Sequence, residues 1–247
     1  MNKWISMLSI ILVLSLSSLA CSVTINRGES NQVTGSGNVI QEERQLSGVT
    51  SVRVANQGDL QIELGDQEKL VIEAEDNLMD YIQSDVRGGT LTLDTQNLVN
   101  LNNMKPIRYL LTVKSLDGAG ISSSGSISAP VLQSDSFSIE SSSSGDIYLE
   151  GLTAGSLSAR LSSSGDVTIG SGMVGKQTVR ISSSGNYDAQ SMQSQEAEIQ
   201  ISSSGNASVA VSEALNGRIS SSGNVYYWGE PQVNVSTSSS GEVIKQD

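Results

Sequence analysis

Ser-Ser-Ser-Gly occurs seven times in the second half of this chain, ending at Gly125, Gly145, Gly165, Gly185, Gly205, Gly223 and Gly241, so hydroxyls are the polar groups it repeats most. A serine becomes a nucleophile beside a general base, and histidine, the commonest such base, is absent from all 247 residues. The commonest zinc ligand is absent with it, which weighs against catalytic triads and zinc hydrolase sites together. Hydrogen bonding is what remains for the serines. Asp146 and Asp166 lie 20 residues apart, each just after a repeat glycine, and carboxylate oxygens in that arrangement suit calcium. The next copies carry Asn186 and Asn206, and the Gly-Gly-x-Gly-x-Asp calcium repeat is missing. These side chains therefore read as turn caps that bond nearby backbone amides, and neither a metal nor another cofactor is expected.

The elements that hold these groups follow from the spacing. Successive repeat glycines are separated by 20, 20, 20, 20, 18 and 18 residues, which marks a stacked repeat architecture. Two residues after each glycine stand Ile127, Ile147, Val167, Tyr187, Ala207, Val225 and Val243; four before stand Ile121, Ser141, Leu161, Ile181, Ile201, Ile219 and Thr237. A period of two within each copy and of about twenty between copies predicts an all-β parallel β-helix with coils of 18–20 residues. The same parity turns the middle serine of each turn inward and its two neighbours outward. The glycine is expected to serve the corner through its tolerance of positive φ. The outward serines, Ser122, Ser124, Ser142, Ser144, Ser162, Ser164, Ser182, Ser184, Ser202 and Ser204, continue through Ser220, Ser222, Ser238 and Ser240 as two columns. At ~4.8 Å per coil they span ~29 Å. One reading is that serine merely fits and solvates a tight corner. The other is a flat, neutral hydrogen-bonding face for a glycan. A Ser-x-Ser lattice is also similar in spacing to Thr-x-Thr ice-binding faces, without the methyl groups.

Residues 1–20 read as an export signal, with Lys3, the apolar run from Ile5 to Leu16, and small residues before Cys21. Cys21 is the only cysteine, so no intrachain disulfide can form. Its place after Leu19-Ala20 looks like a bacterial lipoprotein processing site, although Ser18 stands where such sites usually carry Leu. A plain secretory signal is the alternative. A lipid on Cys21 makes the membrane a partner through the anchor alone. Residues 21–45 are expected to be a polar tether and 46–247 a single β-helix domain, irregular over 46–116 and regular over 117–247. A short helix is expected near residues 76–84, where Leu78, Tyr81 and Ile82 break the strand rhythm. The net charge of −12 argues against nucleic acid as a partner. Arg160 and Arg180 occupy equivalent places five before their glycines and are expected to pair with Glu140 or Glu198. Trp228 with Pro231 is expected to close the far end of the stack.

Over residues 46–247 the chain resembles a bacterial family named for a putative auto-transporter adhesin head, the head GIN domain. The resemblance is carried by the early strands Val52–Val54 and Leu60–Leu64, the Ser-Gly turns, and Gly223-Asn224-Val225-Tyr226-Tyr227-Trp228-Gly229-Glu230-Pro231, which looks like the family's Gly-x-Val-x-Tyr-x-Gly-x-Pro signature. It implies a right-handed parallel β-helix exported to the cell envelope, with no catalytic residues to carry over. The expected function is a non-enzymatic adhesive or structural surface module that meets surface glycans or envelope components. The alternatives are a polysaccharide-cleaving enzyme on the same scaffold and an ice-binding protein.

Overall fold

The computed structural model describes residues 31–247; the expected export signal, Cys21 and the first part of the tether lie outside the described residues. From Gly118 onward the chain winds as a parallel β-helix in which each strand pairs with its counterpart one coil later. The aligned positions become vertical rows. Ile127, Ile147, Val167, Tyr187, Ala207, Val225 and Val243 are successive partners in one ladder. Ile121, Ser141, Leu161, Ile181, Ile201, Ile219 and Thr237 are partners in another. Both rows face the core and are buried until the last coil, where Val243 is half-buried and Thr237 exposed. Large and small residues alternate to fill a thin interior, as where Tyr187 stacks on Ala207.

Close approach between coils explains the glycines, and positive φ does not: none of the seven has φ > 0 among the described residues. A Cβ on Gly145, Gly165, Gly185, Gly205, Gly223 or Gly241 would lie under 3.0 Å from the carbonyl oxygen of the repeat glycine one coil before. On Gly125 it would meet the carbonyl of Gly58 in the same way. The backbone continues its ladder through the bend. The N–H groups of Gly165, Gly185, Gly205, Gly223 and Gly241 donate to the middle-serine carbonyl of the preceding coil at 3.0–3.1 Å. Each of these five coils is therefore drawn onto the last by a hydrogen bond at a place where no side-chain carbon fits.

Gly58 exposes a coil outside the serine repeats. Residues Val54-Ala55-Asn56-Gln57-Gly58 take the place of Ile-Ser-Ser-Ser-Gly, with strand Ser51–Val54 pairing with Gly118–Ile121 and strand Asp59–Leu64 with Ser126–Ser141. On its other side this coil is covered by strands Thr90–Thr95 and Arg108–Val113, both parallel to it. The coil formed by residues 51–64 is thus sandwiched between one that follows it in sequence and the first serine repeat.

The end beyond Thr90–Val113 is closed by antiparallel strands, and here two expectations are corrected. No α-helix forms over 76–84. Strand Lys69–Glu75 leads to a single 3-10 turn, Met79–Tyr81, and then to strand Ile82–Arg87. Asp76 is held by Ser36 and Asn38, while Asn77 donates to the Thr34 carbonyl at 2.8 Å. Residues 82–87 are claimed by an antiparallel ladder with Thr90–Thr95. Too few residues remain free for a helix, yet Leu78, Met79 and Ile82 still reach the core. The tether also ends earlier than 45. Asn31–Thr34 pairs in parallel with Val99–Asn102, and Val39–Gln45 pairs antiparallel with Lys69–Glu75. Glu75 ties these pieces together, its buried carboxylate accepting N–H bonds from Gly37 at 2.6 Å, Met104 at 2.8 Å and Lys105 at 3.2 Å.

The drop from 20-residue to 18-residue coils is absorbed far from the glycine corner. The register between strands Tyr187–Ile201 and Ala207–Ile219 slips between Ala189 and Gln193 and again between Ser194 and Glu196. A buried polar chain mends the slip: Ser194 donates to the Ala210 carbonyl at 2.8 Å, Gln177 to Ser194 at 2.8 Å, and the Tyr187 hydroxyl to Gln177 at 2.9 Å. Burial in this network pushes the Tyr187 phenol far above its ordinary value.

Two outcomes follow from these contacts. Gly185→Ala forces a carbon against backbone and should cost at least ~1–3 kcal/mol, whereas Ser184→Ala, at an exposed hydroxyl, should stay within ~0.5 kcal/mol; denaturant unfolding of both variants measures the contrast. Burial would raise the Glu75 carboxyl, but the three backbone N–H donors and the Lys105 charge outweigh it and hold it below its ordinary 4.5. A lowered folded value means its stabilisation is complete above 4.5 and is lost as pH falls through that lowered value. Glu75→Gln should therefore cost on the order of 1–3 kcal/mol at neutral pH and much less in acid, with hydrogen exchange at Gly37, Met104 and Lys105 reporting the same trend.

Candidate functional site

The serine corner presents its side chains in a fixed order. In the coils ending at Gly125 through Gly223, the first and third serines are exposed and the middle one is half-buried. Backbone needs are met by backbone, since the N–H of Ser142, Ser162, Ser182, Ser202, Ser220 and Ser238 donates to the carbonyl four residues before the preceding glycine at 2.8–3.0 Å. First-column hydroxyls lean back onto that ladder in places, as Ser162 does to Ser141 and Ser220 to Ile201, both at 3.4 Å. Ser122, Ser142, Ser182, Ser202 and Ser238 complete this column, standing on the same outward face. In the other column, the hydroxyls of Ser124, Ser144, Ser164, Ser184 and Ser204 make no hydrogen bond among the described residues and point at solvent.

Beside this corner runs a ladder of acidic and amide side chains. Asp146 accepts from the Asp166 N–H at 2.8 Å, Asp166 from the Asn186 N–H at 2.7 Å, and Asn186 from the Asn206 N–H at 3.3 Å. Asn206 and Asn224 extend it to Glu242. Each side chain caps the next coil, so these acids are engaged in the fold. The arginine pairing read from sequence is not what forms. Glu140 pairs with Arg53 at 2.8 Å, and Glu198 accepts from Gln200 at 3.1 Å.

Sequence reasoning passed over a second feature. On the strand leaving the glycine corner, Tyr148 stands outward with 47% of its surface exposed. It lines a groove of about 490 Å³ with Gln61, Glu63, Leu64, Ser128 and Glu150. Its hydroxyl lies over Gly170, where a Cβ would be 3.4 Å away. The signal was a large aromatic on the solvent parity of a strand. Its neighbours Gln61 and Glu63 could be placed there only once the coil at Gly58 was known. At the other end, Tyr226, Tyr227 and Trp228 are all half-buried, with Tyr227 packed against the core. The turn after Trp228 uses Gly229 at φ +104. Lys245 closes the turn with an ion pair to Glu230.

Comparison with known proteins matches this geometry. The chain is similar in structure to a putative adhesin from Bacteroides fragilis NCTC 9343, with a TM-score of 0.81 and 20% identity over 87% of this chain and all of the other. A putative adhesin from Parabacteroides merdae ATCC 43184 follows at TM-score 0.72 and 17% identity, covering 88% of this chain and all of the other. A protein described as a putative lipid binding protein from Parabacteroides distasonis ATCC 8503 gives TM-score 0.72 and 25% identity, again over 88% of this chain and 100% of its own. No functionally curated protein matches. Residues 48–231 match the profile of the putative auto-transporter adhesin, head GIN domain, and the chain, with its Gly-terminated coils and Tyr-Tyr-Trp-Gly-Glu-Pro turn, belongs to that family.

Proposed function

We propose that this protein is an exported, lipid-anchored and non-enzymatic surface module that adheres to glycans or other envelope polymers through a face of its β-helix. The observation that supports the reading best is the in-register stack, which turns the outward serines into columns repeating at every coil. A polymer with its own repeat can engage such a lattice at many weak points, and weak contacts held in a rigid frame add up by multivalency. The adhesin family supports the same reading. The acidic Tyr148 groove favours one alternative, because a polysaccharide-cleaving enzyme would need paired carboxylates beside a sugar platform, and Glu63 and Glu150 line that groove with Tyr148. Ice binding finds less support, since the serine rows lack the methyl groups of Thr-x-Thr lattices.

Incubation of the purified protein with a panel of envelope and plant polysaccharides separates the readings: retention without new reducing or unsaturated ends supports the adhesive module, and release of such ends supports the enzyme. Replacing Ser164 and Ser184 by glutamate should weaken retention several-fold if the serine face is used. The anchor has its own test. Cys21→Ser should move the protein from the membrane fraction to the soluble fraction of its host and abolish incorporation of a labelled fatty acid, while an unchanged distribution would refute lipidation.

A further inference from the structure

Four of the chain's eight arginines fall in one vertical row, five residues before the turn glycines. The ladder runs Arg53, Gly120, Glu140, Arg160, Arg180, Gln200, Arg218 and Ser236. The row carries four positive charges and one negative on a chain whose net charge is −12. Arg53 is neutralised, reaching past Gly120 to Glu140 at 2.8 Å. Arg160, Arg180 and Arg218 form no salt bridge among the described residues, although Glu198 stands nearby, bonded to Gln200, and Glu196 lies 3.9 Å from Lys176. Arg160 and Arg180 are direct ladder partners. Like charges set opposite each other in a sheet are destabilising, and the carboxylate on the other side of Arg160, its ladder partner Glu140, is engaged by Arg53.

We propose that this row is a binding site for a linear acidic polysaccharide, one bearing carboxylate or sulfate groups, lying along the helix axis. The proposal rests on the reading that the protein meets an extracellular polymer, and it names the chemical class. Arginine suits the task because its planar fork grips carboxylate and sulfate with two parallel hydrogen bonds. The row adjoins the first serine column on the same outward face, so Arg160 stands beside Ser162, Arg180 beside Ser182 and Arg218 beside Ser220. Two adjoining grooves of about 400 and 360 Å³ run along it and share Arg180 and Ser182. From Arg160 to Arg218 is three coils, ~14 Å at ~4.8 Å each, long enough to meet successive acidic groups while the serines meet sugar hydroxyls. The acidic bulk of the molecule does not cancel the row, because charges beyond ~8 Å are largely screened at physiological salt. That acidity does oppose nucleic acid, whose dense phosphates spread well past three arginines.

The test measures binding of the full-length protein to immobilised dextran sulfate, polygalacturonate, neutral dextran and single-stranded DNA. Both acidic polysaccharides should be retained in a salt-sensitive manner and neutral dextran should not. The triple variant Arg160→Gln, Arg180→Gln, Arg218→Gln should weaken that retention at least ~10-fold. Glutamine already occupies the row at position 200, and removing opposed charges should leave the unfolding midpoint equal or higher. Equal retention by the variant, or DNA bound as tightly as the polysaccharides, would overturn the proposal. Neutral glycans bound equally by parent and variant would overturn it while sparing the adhesive reading; retention of no polymer at all would overturn both.

Discussion

At the five serine turns from Gly165 to Gly241 a glycine N–H reaches the carbonyl of the middle serine one coil before, and at all seven the glycine α-carbon comes so near the preceding coil's glycine carbonyl that no Cβ fits between. Backbone meeting backbone at a corner sets the distance between coils, and the strands that leave and enter the corner inherit that distance. Inward positions must then stack on their counterparts, which is why Ile, Val, Leu and Ala recur in vertical rows. The flanking serines follow from the same constraint, since a bend with its backbone groups already satisfied leaves its side chains free for water or a ligand.

A thin core raised on such a corner has little tolerance at its irregular points, and the chain treats each with a buried polar contact. Where coil length falls from 20 to 18 residues, Ser194, Gln177 and Tyr187 supply the hydrogen bonds that the slipped ladder would lose. In the coil at Gly58, which lacks the serines, Asn56 donates to the buried Tyr109 hydroxyl at 2.6 Å and accepts from the Gly58 N–H at 3.2 Å. Burial pushes Tyr109 up to about 12, against the lowering effect of Asn56, so it remains a neutral phenol under ordinary conditions. At the antiparallel end, Glu75 gathers three N–H groups from segments far apart in sequence.

Rigidity of this kind matters for display. Groups placed on an outward parity repeat at each coil without any mechanism to hold them apart, and a surface with a fixed repeat recognises polymers better than single ligands. The charges show a division of the surface: acidic and amide side chains after the glycine are consumed in capping the next coil, whereas Arg160, Arg180 and Arg218 before it stand beside the hydroxyls with no salt bridge among the described residues, Arg160 and Arg218 exposed and Arg180 half-buried.

The repeat period, the inward rows, the exposed flanks of each Ser-Ser-Ser and the parallel stacking were legible in the chain, because all of them are local pattern multiplied by a fixed offset. The reason for glycine was not legible, since a clash with another coil's carbonyl leaves no mark within its own turn. The coil at Gly58 carries the same apolar alternation without the serines, and only its pairing with both residues 90–113 and residues 118–128 shows that it belongs to the stack. Residues 76–84 have helical apolar spacing, yet the strands on either side take their backbone groups first. The row of Arg53, Glu140, Arg160, Arg180 and Arg218 was half visible, as equal ranks in an alignment. Which of those charges are paired depended on reach across a coil without a side chain, and that is a property of the assembled sheet.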